Sequence, residues 1–246
     1  AHQLTMTHTL TSAGSDLASR VGAYSMVAMG SAREGQASSS FNYAGGDTHD
    51  LAAHAAQEHF GIGAFMRDTL RQLKPRALAA NFSGEVVLTP AATASLLQWL
   101  QAQIGDERLI AGSSLYRERV GEHVASPLIT LASRFDAPGV AAVSADGFAT
   151  PAVAVLQSGV LRTLTPSLYA SRRTGLAHVP TAAGGWSLDA GATPLAQMIA
   201  AVPRGALVDR LSMGNPAPNG DFSALLKNSF AIDGGEVGDA LGGVMM

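Results

Sequence analysis

Three side chains in the stretch THDLAAHAAQEHF have the types to hold a cation: His54, Glu58 and His59. On a helix, positions 54 and 58 share a face, while 59 is turned away by about 100°. The order is not the His-Glu-x-x-His of a zinc helix, so the stretch reads as a solvated or partner-facing helix. Serine, histidine and aspartate are all present for nucleophilic catalysis, yet no Gly-x-Ser-x-Gly elbow occurs. Gly112-Ser113-Ser114 has no strand leading into it. Ala183-Gly184-Gly185 and Gly234-Gly235 lack the strand-to-helix spacing of a phosphate loop and read as turns. The carboxylate pairs Asp106-Glu107 and Asp233-Glu236 stand at turn or helix-end positions, where acids are ordinary. One further oddity is LLQWLQAQ, a helical stretch with Gln98 and Gln103 five residues apart and Trp99 beside the first.

The elements that must position these residues follow from periodicity and punctuation. The first forty-five residues read as strands, with VGAYSMVAM and QASSSFNYAG joined by a long turn from Gly30 to Gly35. Thr48 to Leu73 reads as helix in two pieces, broken near Gly61 and Gly63 and ended by Pro75, since glycine costs about 1 kcal/mol in a helix interior. FSGEVVLT is a short strand. A helix then runs from the N-cap Thr89 and Pro90 to Gly105, with Leu96, Leu100 and Ile104 on one stripe and Leu97 beside them. Beyond residue 110 the chain is mostly β: LITLAS, a hairpin TPAVAVLQ and VLRTLT turning on Ser158-Gly159, the strand ALVDRLSM, and SFAIDGGEV turning on Asp233-Gly234-Gly235. Short helices fall near Pro166 to Thr174 and Thr193 to Ala201, with a Gly-rich loop at Ala182 to Gly191. No repeat or low-complexity linker interrupts this, which predicts one α+β domain over residues 1–246.

Composition narrows the function classes. Of 246 residues 47% are hydrophobic and only 14% charged, so the chain is globular and long enough to bury a sizeable core. The net charge of −3, with sixteen scattered Lys and Arg, offers no footprint for nucleic acid or an anionic membrane. No apolar run approaches the roughly 20 residues of a membrane helix. The absence of cysteine excludes disulfides, thiolate zinc sites and a cysteine nucleophile, and fits a reducing, cytoplasmic setting.

The second half carries a more specific pattern. SSLYRERVGEHVASPLITL, ADGFATPAVAVLQSGVLRTLTPSLYASRRTGL and NPAPNGDFSALLKNSFAIDGGEV follow one another. Their order of Gly121, Gly147, Thr150, Gly159, Leu161, Tyr169, Arg172, Gly175, Gly220, Asp221, Ser223 and Gly235-Glu236 resembles the C-terminal domain of the TldD/PmbA (TldE) family. That family was once described as modulators of DNA gyrase and is understood as subunits of a metallopeptidase complex. The likeness continues more weakly through residues 1 to 110. It implies a β-rich antiparallel architecture, curved or barrel-like, with a few flanking helices. It also implies that the family's N-terminal domain and its last strands are missing here, and an initiator Met is missing too, so a trimmed chain or fragment is expected.

In the TldD type, the helix after the short strand bears a His-Glu-x-x-x-His zinc motif, completed by a cysteine further along. The resemblance lays those positions on Gln98, Trp99 and Gln103. Carboxamides are weak neutral donors, and an indole neither binds zinc nor acts as a base. The better match is therefore the PmbA/TldE type. It implies a non-catalytic subunit, a pseudoenzyme, pairing with a TldD-type zinc peptidase and helping to hold unfolded peptide. No cofactor is expected in this chain and zinc is expected in the partner. Small-residue strands and Gly-rich loops suit close approach of an extended peptide, with Ser113, Ser114, Asp146 and Gly147 as candidate groove residues. Two other readings are an enzyme of another class, with His123 or His178 as acid-base groups near Asp146 or Asp221, and a homodimeric structural module.

Overall fold

A computed structural model of the chain describes residues 1–12, 14–52, 54–78, 81, 83–148, 151–213, 217 and 219–246. Ala53, Phe82, Ala149, Thr150, Asn215, Pro216 and Pro218 of the stretches quoted above lie outside them. In chain order come β1 (His2–Leu10), β2 (Asp16–Gly30), β3 (Arg33–Glu34), β4 (Ala37–Ser38), β5 (Asn42–Thr48), α1 (Ala56–His59) and α2 (Ile62–Arg71). Next are β6 (Glu85–Leu88), α3 (Pro90–Ile104), α4 (Asp106–Ile110), β7 (Leu131–Ser133), β8 (Val153–Gln157), β9 (Val160–Leu161) and α5 (Leu168–Thr174). The last are β10 (Trp186–Leu188), α6 (Leu195–Ala200), β11 (Arg204–Val208), β12 (Arg210–Met213), β13 (Ala224–Lys227), β14 (Phe230–Asp233) and β15 (Glu236–Ala240). No helix among the described residues is long and apolar enough to cross a membrane.

The architecture is α+β and mostly antiparallel, as expected. Its strands are divided among sheets of order β1-β2-β5, β10-β7-β8-β9, β15-β14-β11-β6, β12-β13 and β3-β4. None of them closes into a barrel. Most strands of the second half are two to five residues long, too short to wrap, and they stop at tight corners. The chain falls into two compact units, 1–24 with 48–50 and 99–191, and 25–47 with 51–98 and 192–246.

In the first unit, β1 pairs with β2 without a bulge over nine residues, from His2 opposite Tyr24 to Leu10 opposite Asp16. Behind the short sheet of β7, β8, β9 and β10, the fully buried side chains include Leu131, Val155, Leu156 and Leu161, along with Ile104 and Leu109 from α3 and α4. The β8–β9 turn is as read from sequence: Ser158 and Gly159 have φ of 47° and 77°, both positive as a tight primed turn requires. His49 is held by two glycines: its Nδ1 donates to Gly22 O at 2.6 Å, and its ring packs against Gly139, where no Cβ would fit.

The second unit is built on the sheet β15-β14-β11-β6, with one parallel pair, β6–β11, among antiparallel ones. Ala92, Ala206, Val208, Leu226, Ala231 and Leu241 form one buried cluster, and Val87, Val202 and Ile232 another. The expected strand ALVDRLSM is two strands in different sheets, β11 and β12, because Asp209 forms a corner. Its carboxylate accepts from Thr89 Oγ1 at 3.0 Å and from Asn228 Nδ2 at 2.8 Å. Asp209 N donates to Ser229 Oγ at 3.3 Å, so the β11–β12 corner is joined to the β13–β14 corner.

Some expected boundaries move. Thr48 to Ala52, His54 and Ala55 are not helical: Thr48 closes β5 and its hydroxyl both donates to Asp50 O and accepts from Asp50 N, a local turn that competes with helix. The helix starts at Ala56 and breaks at Gly61, whose φ is 65°. The helix from Pro90 stands as expected and is followed directly by α4. Leu96, Leu97 and Leu100 are only half-buried, whereas Ala92, Gln103 and Ile104 are fully covered.

Two measurements check this account. A Cβ built on Gly139 would stand 1.8 Å from His49 Cε1 and Nε2, and φ there is +76°. Gly139→Ala should therefore lose about 1–3 kcal/mol of stability in urea unfolding. Asp68 on α2 has its pKa raised, chiefly by burial and further by Asp209, against the lowering effects of Arg71 and Arg67. The folded state then holds this proton more tightly than the unfolded chain, so stability falls as pH rises from roughly 4 through the Asp68 titration. Asp68→Asn should flatten that slope in the urea midpoint.

Candidate functional site

Helix α3 holds Gln98, Trp99 and Gln103, the positions on which the resemblance lays a zinc motif, in three different surroundings. Gln98 is exposed. Trp99 meets Tyr116 edge-on, with centroids 6.2 Å apart at 75°, and its buried indole Nε1 has no partner among the described residues. Gln103 is buried, and its Oε1 accepts from Leu115 N at 3.2 Å. Tyr116 in turn lies 5.9 Å from the Arg119 guanidinium, and burial raises its phenol pKa while Arg119 lowers it. A zinc ion needs several imidazole, thiolate or carboxylate donors. An exposed amide, an indole and an amide oxygen already accepting a backbone N–H do not fit one.

A second constellation forms where α5 begins, in the first unit. Ser167 caps α5 by accepting from Ala170 N at 3.2 Å. Asp106, the first residue of α4, accepts from Ser167 N at 2.8 Å and from Ser167 Oγ at 2.5 Å. Asp146 Oδ2 accepts from Leu168 N at 3.1 Å and lies 3.1 Å from His178 Nε2. The Phe148 ring stands edge-on to His178 at 4.8 Å. Asp146 is aimed by a tight turn in which Ser144 N donates to Phe148 O at 2.7 Å and Gly147 N to Ser144 O at 3.0 Å. Gly147 has φ of +82°, a conformation a side chain would strain.

Of the candidate groove residues, Asp146 and Gly147 thus belong to one built turn. Ser113 and Ser114 lie just after α4, where Ser113 N donates to Arg108 O and Ser114 Oγ accepts from Tyr116 N. His178 does stand against Asp146. His123 instead bridges Val160 through its backbone, and Asp221 bonds to Asn219. His54 precedes α1, and His59 packs edge-on to Phe60 at 5.1 Å. No group of three or more His, Asp or Glu side chains converges for a metal among the described residues.

A feature the sequence did not announce lies in the second unit. Beside β6 is a cavity of about 730 Å³ lined by Leu78, Ser83, Gly84, Val86, Gly205 and Met245, among others. That size is within the roughly 300–1,000 Å³ of ligand sites. β6 is the outer strand of its sheet. Thr89 N donates to Val208 O, so alternation turns Val86 and Leu88 backbone groups toward the open side. Val86 is 45% exposed.

Comparison with known proteins agrees with the pattern. Residues 83–246 match the family described as PmbA/TldA metallopeptidase C-terminal domain. No curated protein matches the chain in sequence. Among solved structures, TldE from Thermococcus kodakarensis is similar with a TM-score of 0.79 and 22% identity, over 95% of this chain and 56% of that one. A protein described as a modulator of DNA gyrase from Bacteroides thetaiotaomicron gives 0.77 and 21%, over 94% of this chain and 53% of its own. Another so described, from Thermotoga maritima, gives 0.74 and 19%, over 95% and 56%. This chain spans just over half the length of those proteins, and at such identities the likeness is one of fold. With the family match covering most of the chain, the protein belongs to the PmbA/TldD metallopeptidase family through its C-terminal domain.

Proposed function

We propose that this chain is a TldE-like, non-catalytic subunit that pairs with a TldD-type zinc peptidase and holds unfolded peptide for cleavage by the partner. The observation that carries the reading is Gln103: the amide at a zinc-motif position is buried and spends its oxygen on Leu115 N, so α3 packs where a catalytic relative would coordinate. No step of hydrolysis is assigned to this chain. The zinc and the activated water belong to the partner.

Peptide holding is supported by the open side of β6. An extended peptide laid along Val86 and Leu88 would bond backbone to backbone, and Gly84 and Gly205 keep the cavity wall low. Recognition by main chain alone tolerates many sequences, as an unfolded substrate demands. Ser113 and Ser114 remain candidate contacts in the first unit. Asp146 is a weaker one, since its carboxylate already serves Leu168 N and His178.

A second reading, acid-base catalysis by this chain, is favoured by the 3.1 Å contact of Asp146 with His178, because a carboxylate so placed orients an imidazole. His178→Ala distinguishes the two. Loss of peptide turnover with partner capture intact favours catalysis, whereas unchanged turnover in the complex favours the subunit role.

Co-expression with a TldD-type protein should give a complex that carries zinc and cleaves peptide, while the chain alone carries neither metal nor turnover. Zinc and proteolysis in the isolated chain would overturn the proposal. Val86→Pro removes one outward N–H without touching the β6–β11 ladder, and should weaken peptide binding about tenfold in a fluorescence titration. Gln103→Ala, which leaves Leu115 N unpaired, should cost about 1–3 kcal/mol in urea unfolding.

A further inference from the structure

The cavity beside β6 is bordered by two strand edges, both supplied by the second unit. On one side, Val86 and Leu88 of β6 turn their N–H and C=O groups away from β11. On the other runs the segment 244–246, which pairs with β13. Leu226 N donates to Val244 O at 2.9 Å, Ala224 N to Met246 O at 2.9 Å, and Met246 N to Ala224 O at 3.0 Å. Met245 stands opposite Leu225 between those bonded residues, so its own N–H and C=O point away from β13. Val86 and Met245 line the same cavity. A strand lies about 4.8 Å from each neighbour, and one extended chain laid between two such edges is bonded on both sides.

The floor says which side chains that extended chain carries. Leu78, Ala206, Leu226, Leu241 and Val244 line the cavity and belong to, or pack against, one buried apolar cluster. The described lining residues include no Lys, Arg, His or Asp, and one acid, Glu85. Alternation along β6 sends the Glu85 side chain elsewhere. Leu88 packs on the cluster under the cavity, whereas Val87 packs on the other cluster with Val202 and Ile232, so Val86 faces the cavity and Glu85 the opposite side. A charged side chain brought onto this floor loses its water and gains no partner. An apolar one is favoured by the same loss of water.

We propose that this cavity is a slot for one extended stretch of the peptide, bonded to Val86 on one side and Met245 on the other, and that it admits neutral apolar side chains at alternate positions. This rests on the peptide-holding role given to β6 and makes that role selective. Folded proteins keep most of their large apolar side chains inside, so a slot that requires them at every second position separates unfolded chains from folded ones without reading a fixed sequence.

Short labelled peptides that differ only at two alternate central positions test this by fluorescence titration, against the chain alone and against its complex with a TldD-type subunit. The form with leucine at both positions should bind about tenfold or more tightly than forms with aspartate or lysine there. Val86→Lys, at a position 45% exposed, puts an ammonium group on the cavity wall and should reverse the order, so that the aspartate form binds best. Met245→Pro removes an outward N–H without touching the bonds of Val244 and Met246 to β13, and should weaken binding of the leucine form about tenfold. Far-UV circular dichroism verifies that both variants keep the fold, and the ranking of peptides on the unmodified chain needs no variant. Equal binding of the three forms, an order unchanged by Val86→Lys, or a Met245→Pro variant that binds as the unmodified chain does would each overturn this inference while leaving peptide holding in place. No binding of any form, alone or in the complex, would overturn both.

Discussion

Ser167 gives both its protons to one carboxylate, that of Asp106, and with its own oxygen it holds Ala170 N. The rest of the first unit leans on this double donation. Asp106 opens α4, with only Gly105 between it and the end of α3, so the contact binds the start of α5 to the junction of the two helices before it. Thr165 adds to it, donating through its backbone N–H at 2.9 Å and its hydroxyl at 3.3 Å to Ile104 O, the last carbonyl of α3. α5 has only seven residues and could not stand alone, since so short a helix is marginal in water. It is held by its first turn. Two carboxylates, Asp106 and Asp146, sit where the helix dipole and free N–H groups favour negative charge.

The same logic of short elements fixed by side-chain oxygens runs through the second unit. Asp209 gathers Thr89, Asn228 and Ser229, which belong to the entry to α3 and to the β13–β14 corner. Beside it, Arg210 lies flat over the Tyr43 ring with its guanidinium 3.4 Å from the centroid, and donates to Tyr43 O. Arg71 stacks on Phe230 at 4.1 Å and donates to Gly238 O at 2.5 Å. A chain with few charged residues thus uses several of them as planar struts against aromatic rings, where they cover apolar surface and bond to backbone at once.

Much of this was legible in advance wherever one local signal decided the outcome. Thr89-Pro90 and Gly105 bounded a helix because cap, first position and stop are each local preferences. Ser158-Gly159 and Asp233-Gly234-Gly235 turned because positive φ is a local demand. What stayed hidden was decided at a distance. Nothing near residue 209 reveals that Asp209 will meet Asn228 and break ALVDRLSM in two, and Asp106 looked like an ordinary helix-end acid until Ser167 was found against it. The helical reading of Thr48 to Ala52 failed for a local reason that periodicity overlooks, a threonine hydroxyl taking the backbone for itself. At the candidate sites, the residue types at positions 98, 99 and 103 are read from the sequence but their surroundings are not, and the cavity beside β6 depends on which strand ends up outermost.

The corner at Asp209 also bears on how this protein can change over generations. Val208 and Arg210 are separated by one residue yet belong to different sheets, and the return passage through Asn228 and Ser229 is nearly as abrupt. Adding or deleting a residue there would rotate every later side chain of β12 by half a turn, sending Leu211 outward and unhooking Arg210 from Tyr43. Drift in side-chain identity is tolerable at such a place if the oxygens survive; drift in length is not. Variation in chain length among descendants should therefore gather in roomier connections, leaving this seam with a constant residue spacing even where little else of the sequence is shared.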